Sequence, residues 1–409
     1  MASVDEETRA FSDVCFPRQE HHTLLPDPEP RPHTYLLISV DDHLVEPRGT
    51  FQGRLPAKFA ADTPRVVEDD EGVEWWLIEG NKEPNIGANS VVGRPMEEWS
   101  AEPTRYDEMR RGVWDIHERV RDMDINGVYA SLCFPSMVFG FAGQRFMAMR
   151  DHELGLACTR AYNDWVIDEW AAPYPDRIIP CQIPWLRDSA AAADEVRRNA
   201  ARGFKAVAFT ENPEKLGLPS LHTGYWDPFF AACEETETVV NLHVGSSSQI
   251  SRPSSDSPPD VTISLFTVNA LAASVDWLFS RIPVRFPGIK LAFSEGGFGW
   301  VPMVLDRLEY LEKRTVTSTW AGIDLTPAEV FKRNFYFTSY WDPSSFALRN
   351  RVGLDHIMIE SDYPHADTTW PDTQACMAEQ LAGLAESDVR KITHENAAAL
   401  YRHPLPARP

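Results

Sequence analysis

The sequence predicts an α/β protein, a distorted (β/α)8 barrel with an insertion after strand one and an extended N-terminal arm. Eight short apolar runs, rich in β-branched and aromatic residues, are spread between Tyr35 and Ser361. Their apolar character is nearly continuous, as in Leu36-Leu37-Ile38 and Val239-Val240-Asn241-Leu242, which marks strands covered on both faces in a parallel sheet. Most are followed by a stretch able to form a crossover helix. The first run leads into Asp41-Asp42-His43 rather than the glycine-rich turn of a doubly wound nucleotide fold.

The elements follow in order. Residues 1–33 form the arm, because Pro26, Pro28, Pro30 and Pro32 alternate and exclude both helix and central strand. Phe11, Phe16, Leu24 and Leu25 would let it pack across the body or onto a second subunit, and a disordered tail is the equal alternative. Residues 34–409 form the barrel, with strands at 35–40, 127–134, 177–183, 204–210, 238–244, 289–294, 335–339 and 356–361. The interval 45–125 is the insertion, and within it 65–78 reads as a hairpin turning at Glu71-Gly72. Residues 189–201 read as a helix with Asp194, Glu195, Arg197 and Arg198 on its outer side. The Ser/Pro-rich stretch 246–260 follows strand five and would lie over the mouth as a lid or substrate loop.

Composition narrows the class. The 409 residues are 43% hydrophobic and 24% charged, enough for a sizeable core without disulfides. Thirty-nine basic against 61 acidic residues give a formal charge of −22, which excludes general nucleic-acid binding. No uninterrupted apolar run reaches the ~18 residues of a membrane span. The first twenty residues carry acids where a secretion signal needs bases, so a cytoplasmic protein is expected. The six cysteines are scattered without a C-x-x-C pair and read as reduced, mostly buried thiols.

Chemistry in a barrel gathers at the C-terminal strand ends. Those ends carry Asp41 and His43, His243, Glu295 and Asp362. Asp41 and His43, two apart, share one face of an extended strand. With His243 and Asp362 they make a mixed nitrogen and oxygen set suited to zinc, manganese or ferrous iron. Glu295 opens Glu295-Gly296-Gly297 and reads as ligand, general base or helix-cap anion. His365 would line the mouth. Arg307 would either hold a substrate carboxylate or pair with Asp306 or Glu309. Trp185, Trp226, Trp300, Trp341 and Trp370 near loops point to a planar or apolar substrate, although a core would look the same.

Ser39-Val40-Asp41-Asp42-His43-Leu44-Val45-Glu46-Pro47 resembles the opening metal motif of the amidohydrolase superfamily, in the branch of aminocarboxymuconate-semialdehyde decarboxylase. Asn241-Leu242-His243-Val244-Gly245-Ser246, Ser294-Glu295-Gly296-Gly297-Phe298-Gly299-Trp300, Ser361-Asp362-Tyr363-Pro364-His365 and Lys391-Ile392-Thr393-His394-Glu395-Asn396 follow in that family's order. The resemblance implies a metal-dependent barrel, commonly dimeric, so a homodimer with a small-molecule substrate is expected. It implies one divalent ion, zinc first and manganese or iron next, held by Asp41, His43, His243 and Asp362. Catalysis would fall to Asp362, Glu295 and His365, and substrate binding to Arg307 and Trp300. The family's first pair is often H-x-H or E-x-H, and here it is Asp41-x-His43. A histidine usually ends strand six, where this chain has Glu295, while Pro302 and Arg307 keep the spacing of the family's substrate arginine. The expected function is decarboxylation of a small unsaturated or aromatic carboxylic acid. Hydrolysis of a C–N, lactone or C–C bond is the alternative, and a metal-bearing scaffold without turnover the third.

Overall fold

Eight parallel strands form the centre of this computed structural model, which describes residues 23–100, 104–314 and 319–406. They are β1 (Leu37–His43), β5 (Val128–Phe134), the split strand β6 (Ile178–Ile179) and β7 (Cys181–Gln182), β8 (Ala206–Phe209), β9 (Val239–His243), β10 (Leu291–Ser294), β11 (Phe335–Ser339) and β12 (Ile357–Ile359). Each overlaps an apolar run of the sequence. The sheet order is β6-β5-β1-β12-β11-β10-β9-β8-β7. Its two edges are halves of one strand, interrupted at Pro180, which has no N–H to give. Ile178–Ile179 pairs with β5 and Cys181–Gln182 with β8, so the sheet closes on itself as an eight-stranded barrel.

Strand alternation builds two apolar layers. Ile38, Val40, Ala130, Leu132, Ala206, Ala208, Val239, Ala292 and Met358 fill the inside. Leu37, Val128, Val207, Val240, Leu242, Leu291, Phe293 and Phe337 face the surrounding helices. The foot is closed by the last helix (Asn396–Tyr401), whose Tyr401 hydroxyl donates to Asn241 Oδ1 at 2.6 Å. At the other end, the inward phase of Val239 and Asn241 brings His243 to the mouth. On β1 a register shift between Ser39 and Asp42 re-phases the strand, so that Asp41 and His43 both reach the interior while Asp42 turns outward.

The insertion holds a three-stranded antiparallel sheet, β2 (Arg65–Glu68), β3 (Glu74–Ile78) and β4 (Asn81–Pro84). The first two are the expected hairpin. The third is polar and has no apolar run to announce it; Glu79 and Gly80, both at positive φ (48° and 82°), make the tight turn that returns it. Residues 23–33 lie along the body: Thr23 N–H donates to Glu98, Leu25 N–H to Gly93 O, and Asp27 pairs with Arg110 and Arg121. The arm's Phe11 and Phe16 fall outside the described residues.

Two expectations need correction. Glu195 is on the buried face of its helix (Ser189–Ala200), where it takes hydrogen bonds from Asn163, Asn199 and Arg198, because it shares the phase of Ala192, Val196 and Asn199. Residues 259–279 form one helical stretch long and apolar enough, by length and composition alone, to cross a membrane. Asp260, Asn269 and Asp276 interrupt its apolar runs, which hid it from a search for continuous ones. Its Asn269, Trp277 and Leu278 are buried against the body, and Trp277 Nε1 donates to Glu211 O. The five described cysteines are free and four of them are buried, as expected.

Candidate metal centre

Four strand ends converge at the barrel mouth. His43 Nε2 lies 3.0 Å from His243 Nε2. Asp41 Oδ1 is 3.5 Å from the first of these nitrogens and Asp41 Oδ2 is 3.6 Å from the second. Asp362 Oδ1 is 3.6 Å from His43 Nε2 and 3.3 Å from His365 Nδ1. Glu295 Oε2 stands 3.5 Å from His243 Nε2. The four expected ligands thus meet around His43 as two overlapping sets, Asp41-His43-His243 and His43-Asp362-His365, with Glu295 beside His243.

The tautomers follow from second partners. Val244 O, 2.6 Å from His243 Nδ1, can only accept, so the ring's proton is on Nδ1 and its Nε2 carries a lone pair. His43 Nδ1 makes a longer contact, 3.5 Å, with Pro135 O in the same sense. Burial drives His243 down to about 3 and His43 well below its ordinary value, so both rings are neutral. Two lone pairs therefore face each other at hydrogen-bond distance with no proton between them. Around them, both carboxylate oxygens of Asp41 and both of Asp362 are buried without a hydrogen-bond donor. A divalent cation resolves both anomalies at once, because it accepts nitrogen and oxygen lone pairs together and offsets the carboxylate charge.

Electrostatics point the same way. Burial, then Glu360, Asp362 and Glu295, push Asp41 well above the usual carboxylate range. Burial and neighbouring Asp362 and Asp367 do so for Glu295, and burial with Asp367 and Glu360 for Asp362. In low dielectric this many acids cannot share one pocket ionised without a cation. Glu295 and Asp362 also have left-handed backbones, φ 59° and 50°, strain of the kind that concentrates at working sites. Beside Glu295, a Cβ on Gly296 would meet Ala270 Cβ at 2.3 Å, so the strand end packs directly on the helix 266–279. The cap-anion role falls to Asp342, whose Oδ2 accepts from Phe298 N and Gly299 N ahead of the helix Val301–Arg314.

Several groups at this site were not found in the sequence. Asn89, from the insertion, brings Nδ2 to 3.1 Å from His365 Nε2. Phe141 packs 4.3 Å from the His243 ring and 4.7 Å from His43, and His365 stacks on His43 at 3.7 Å. Glu360, two residues before Asp362, receives Thr338 Oγ1–H and Glu295 N–H. Arg119 lies beneath the mouth and gives its guanidinium protons to His43 O and Gly112 O. A carboxylate at i−2 on the same strand end was the one available sign, and it pointed to Glu360.

Two sequence-predicted groups stand apart. Arg307 is exposed on the outer face of its helix, with its guanidinium 5.3 Å from the Tyr310 ring centre, while Arg351 takes the pairs with Asp306 and Glu309. Val301, Val304, Leu305 and Leu308 set the buried phase of that helix, and position 307 falls outside it. Trp300 is buried, but its Nε1–H is spent on Gly296 O and its ring stands edge-on to Phe337, so it braces the Glu295 turn from behind. Of the 246–260 loop, Ser246 and Ser247 are buried, and Ser247 Oγ–H donates to Glu211, while 253–256 are exposed.

Residues 21–403 match the profile of a family described as amidohydrolase. An amidohydrolase from Mycobacterium avium subsp. paratuberculosis K-10 superposes with a TM-score of 0.71 at 22% identity, covering 90% of this chain and 99% of that one. A 5-carboxyvanillate decarboxylase from Sphingomonas paucimobilis gives 0.61 at 19%, covering 90% and 99%. A dihydroxybenzoic acid decarboxylase from Polaromonas sp. JS666, solved with manganese and 2-nitroresorcinol, gives 0.62 at 17%, covering 90% and 97%. No curated protein sequence matches. The fold of these structures is the barrel described above, and the match over nearly the whole chain makes this protein a member of the amidohydrolase family.

Proposed function

We propose that the protein is a metal-dependent carboxy-lyase that removes CO2 from a small aromatic or unsaturated acid. One observation carries the reading: two unprotonated imidazole nitrogens and two donorless aspartates meet at a barrel mouth walled by aromatic rings. Asp41, His43, His243 and Asp362 would hold the ion, which supplies Lewis acidity toward substrate oxygens. The oxygen-rich set suits manganese as well as zinc, and one decarboxylase of the same fold is solved with manganese.

The residues do the rest. Phe134 and Phe141 flank the two histidines and offer a planar substrate an apolar wall. When the bond to the carboxylate breaks, its electron pair stays on the substrate carbon and CO2 leaves. That carbon then needs a proton. Asp362, with His365 Nδ1 3.3 Å away, is placed to give it, because burial and the neighbouring Asp367 and Glu360 raise its pKa and favour its protonated form. Asn89 keeps the His365 ring in place.

A hydrolase is the second reading, favoured by the acidity of the surroundings. Glu295, Glu360 and Asp367 oppose a second anionic group on the substrate, and Arg307 does not reach the cluster within the chain. A neutral amide or lactone fits that wall, with Asp362 as base and Glu295 or His365 assisting. A panel of aromatic monoacids, amides and lactones, assayed with manganese and with zinc, separates the two. The proposal expects CO2 release from a monoacid; amine or alcohol release without CO2 would replace it with the hydrolase.

A further inference from the structure

The helix Ile116–Asn126 turns Ile116, Val120 and Met123 inward, and Arg119 shares their phase. An arginine is out of place on that face. Its side chain is 1% exposed, and among the described residues no carboxylate lies within ion-pair distance of its guanidinium. Asp42 feels its charge only through space.

The guanidinium spends its protons on other groups. Nε donates to Gly112 O at 2.7 Å, one terminal nitrogen to His43 O, and the other to Cys133 Sγ at 3.2 Å. The same group stands 4.1 Å from the centre of the Tyr363 ring and 5.3 Å from that of Trp170. These contacts reach two ligand-bearing strand ends at once. His43 is one proposed ligand, and Tyr363 directly follows another, Asp362. The two ends are joined by His43 N–H, which donates to Tyr363 O at 2.6 Å. Asp362 itself has φ 50°, a conformation that persists only where its surroundings fix it.

A buried guanidinium without a counter-ion is costly, and an apolar side chain of similar length would fill the space without that cost. We propose that Arg119 is a positioning residue of the metal centre. Its fork sets the separation of His43 and Asp362 by holding the carbonyl of the first and the ring beside the second. The proposal rests on the metal reading given above. Lysine keeps the charge but is a point donor, so it cannot hold Gly112 O, His43 O and the Cys133 sulfur together. Arg119→Lys therefore separates geometry from charge.

The test is calorimetric titration of manganese into the full chain, stripped of metal by a chelator, for wild type, Arg119→Lys and Arg177→Lys. Arg177 is the control, because it also grips strand carbonyls, those of Tyr129 and Val128, but at the foot of the barrel. Arg119→Lys should weaken manganese binding by ~10-fold or more, as for groups that orient a metal ligand. Arg177→Lys should stay within about twofold of wild type. Equal affinities in the two variants overturn the proposal and leave Arg119 a structural clamp. If Arg119→Lys does not fold, Tyr363 carries the test. Tyr363→Phe keeps the ring beneath the guanidinium and gives up only the hydroxyl bond to Asp122, 2.6 Å long. It should bind manganese within about threefold of wild type, whereas Tyr363→Leu, without the ring, should lose ~10-fold. Equal binding by those two also overturns the proposal. Wild type that takes up no manganese fails the metal reading itself, whereas wild type that binds it no better than Arg119→Lys fails this proposal alone.

Discussion

Asp41 and Asp42 are chain neighbours, both fully buried, and they sit in opposite surroundings. Asp42 lies in the wall between β1, β5 and β12. Its carboxylate takes hydrogen bonds from Ser39 Oγ, Ser131 Oγ, Ser361 Oγ and Tyr363 N, with Arg119 close enough to offset part of its burial. Asp41 lies on the barrel interior and has no donor at all. The wall is finished by the protein's own groups, whereas the mouth is left incomplete. A buried carboxylate without donors costs stability that selection for folding alone would remove. The contrast therefore separates a residue that holds the site together from one that holds something in it.

The largest effect that could break this comparison is on stability. Asp42→Ala would strand three hydroxyls and an amide, and should cost about 3 kcal/mol. Asp41→Asn, measured beside it in urea with the metal chelated, should lie within ~1 kcal/mol of wild type or be more stable, since it removes a charge that nothing solvates. Equal losses in the two variants would erase the distinction.

Glu46 sharpens it with pH. It is buried with one oxygen accepting from Ser136 N–H and the other without a partner, and burial raises its pKa to about 7. A carboxyl raised on folding stabilises below its unfolded pKa, and that contribution is lost as pH climbs through the folded value. Wild type should thus lose stability between roughly pH 4.5 and 7 relative to Glu46→Gln. At pH 8 the variant should be the more stable by up to ~3 kcal/mol, and at pH 4 the two should agree. Parallel stability curves across that range would mean Glu46 is solvated.

The smallest effect is expected at Arg307. On the solvent face of its helix, Arg307→Lys should change kcat and KM by less than about twofold, as for other surface substitutions. A loss of ~10-fold or more in kcat/KM would return it to the substrate, from outside its own chain's cluster.

The barrel was legible because eight apolar runs survive in one dimension, and the strand-end ligands were legible because β alternation is local. The Asp41 and His43 pair was read from spacing two, although the bulge that turns both inward could not be. Asn89, Phe141 and Arg119 come from segments whose sequence has no period tying them to the mouth; only the folded insertion and the crossover helix bring them there. Strand β4 is polar and was missed, but the Glu79-Gly80 turn was a usable sign. Arg307 shows where a family spacing and helix phase diverge: Val304, Leu305 and Leu308 set the buried phase, and position 307 falls outside it.

Metal content tests the central claim most directly. Purified wild-type protein, reconstituted with manganese or zinc and desalted, should hold about one divalent ion per chain, and His243→Ala should lose it by ~10-fold or more in affinity while keeping its fold. Wild type without a stoichiometric ion, or a His243→Ala protein that binds as wild type does, would contradict the account.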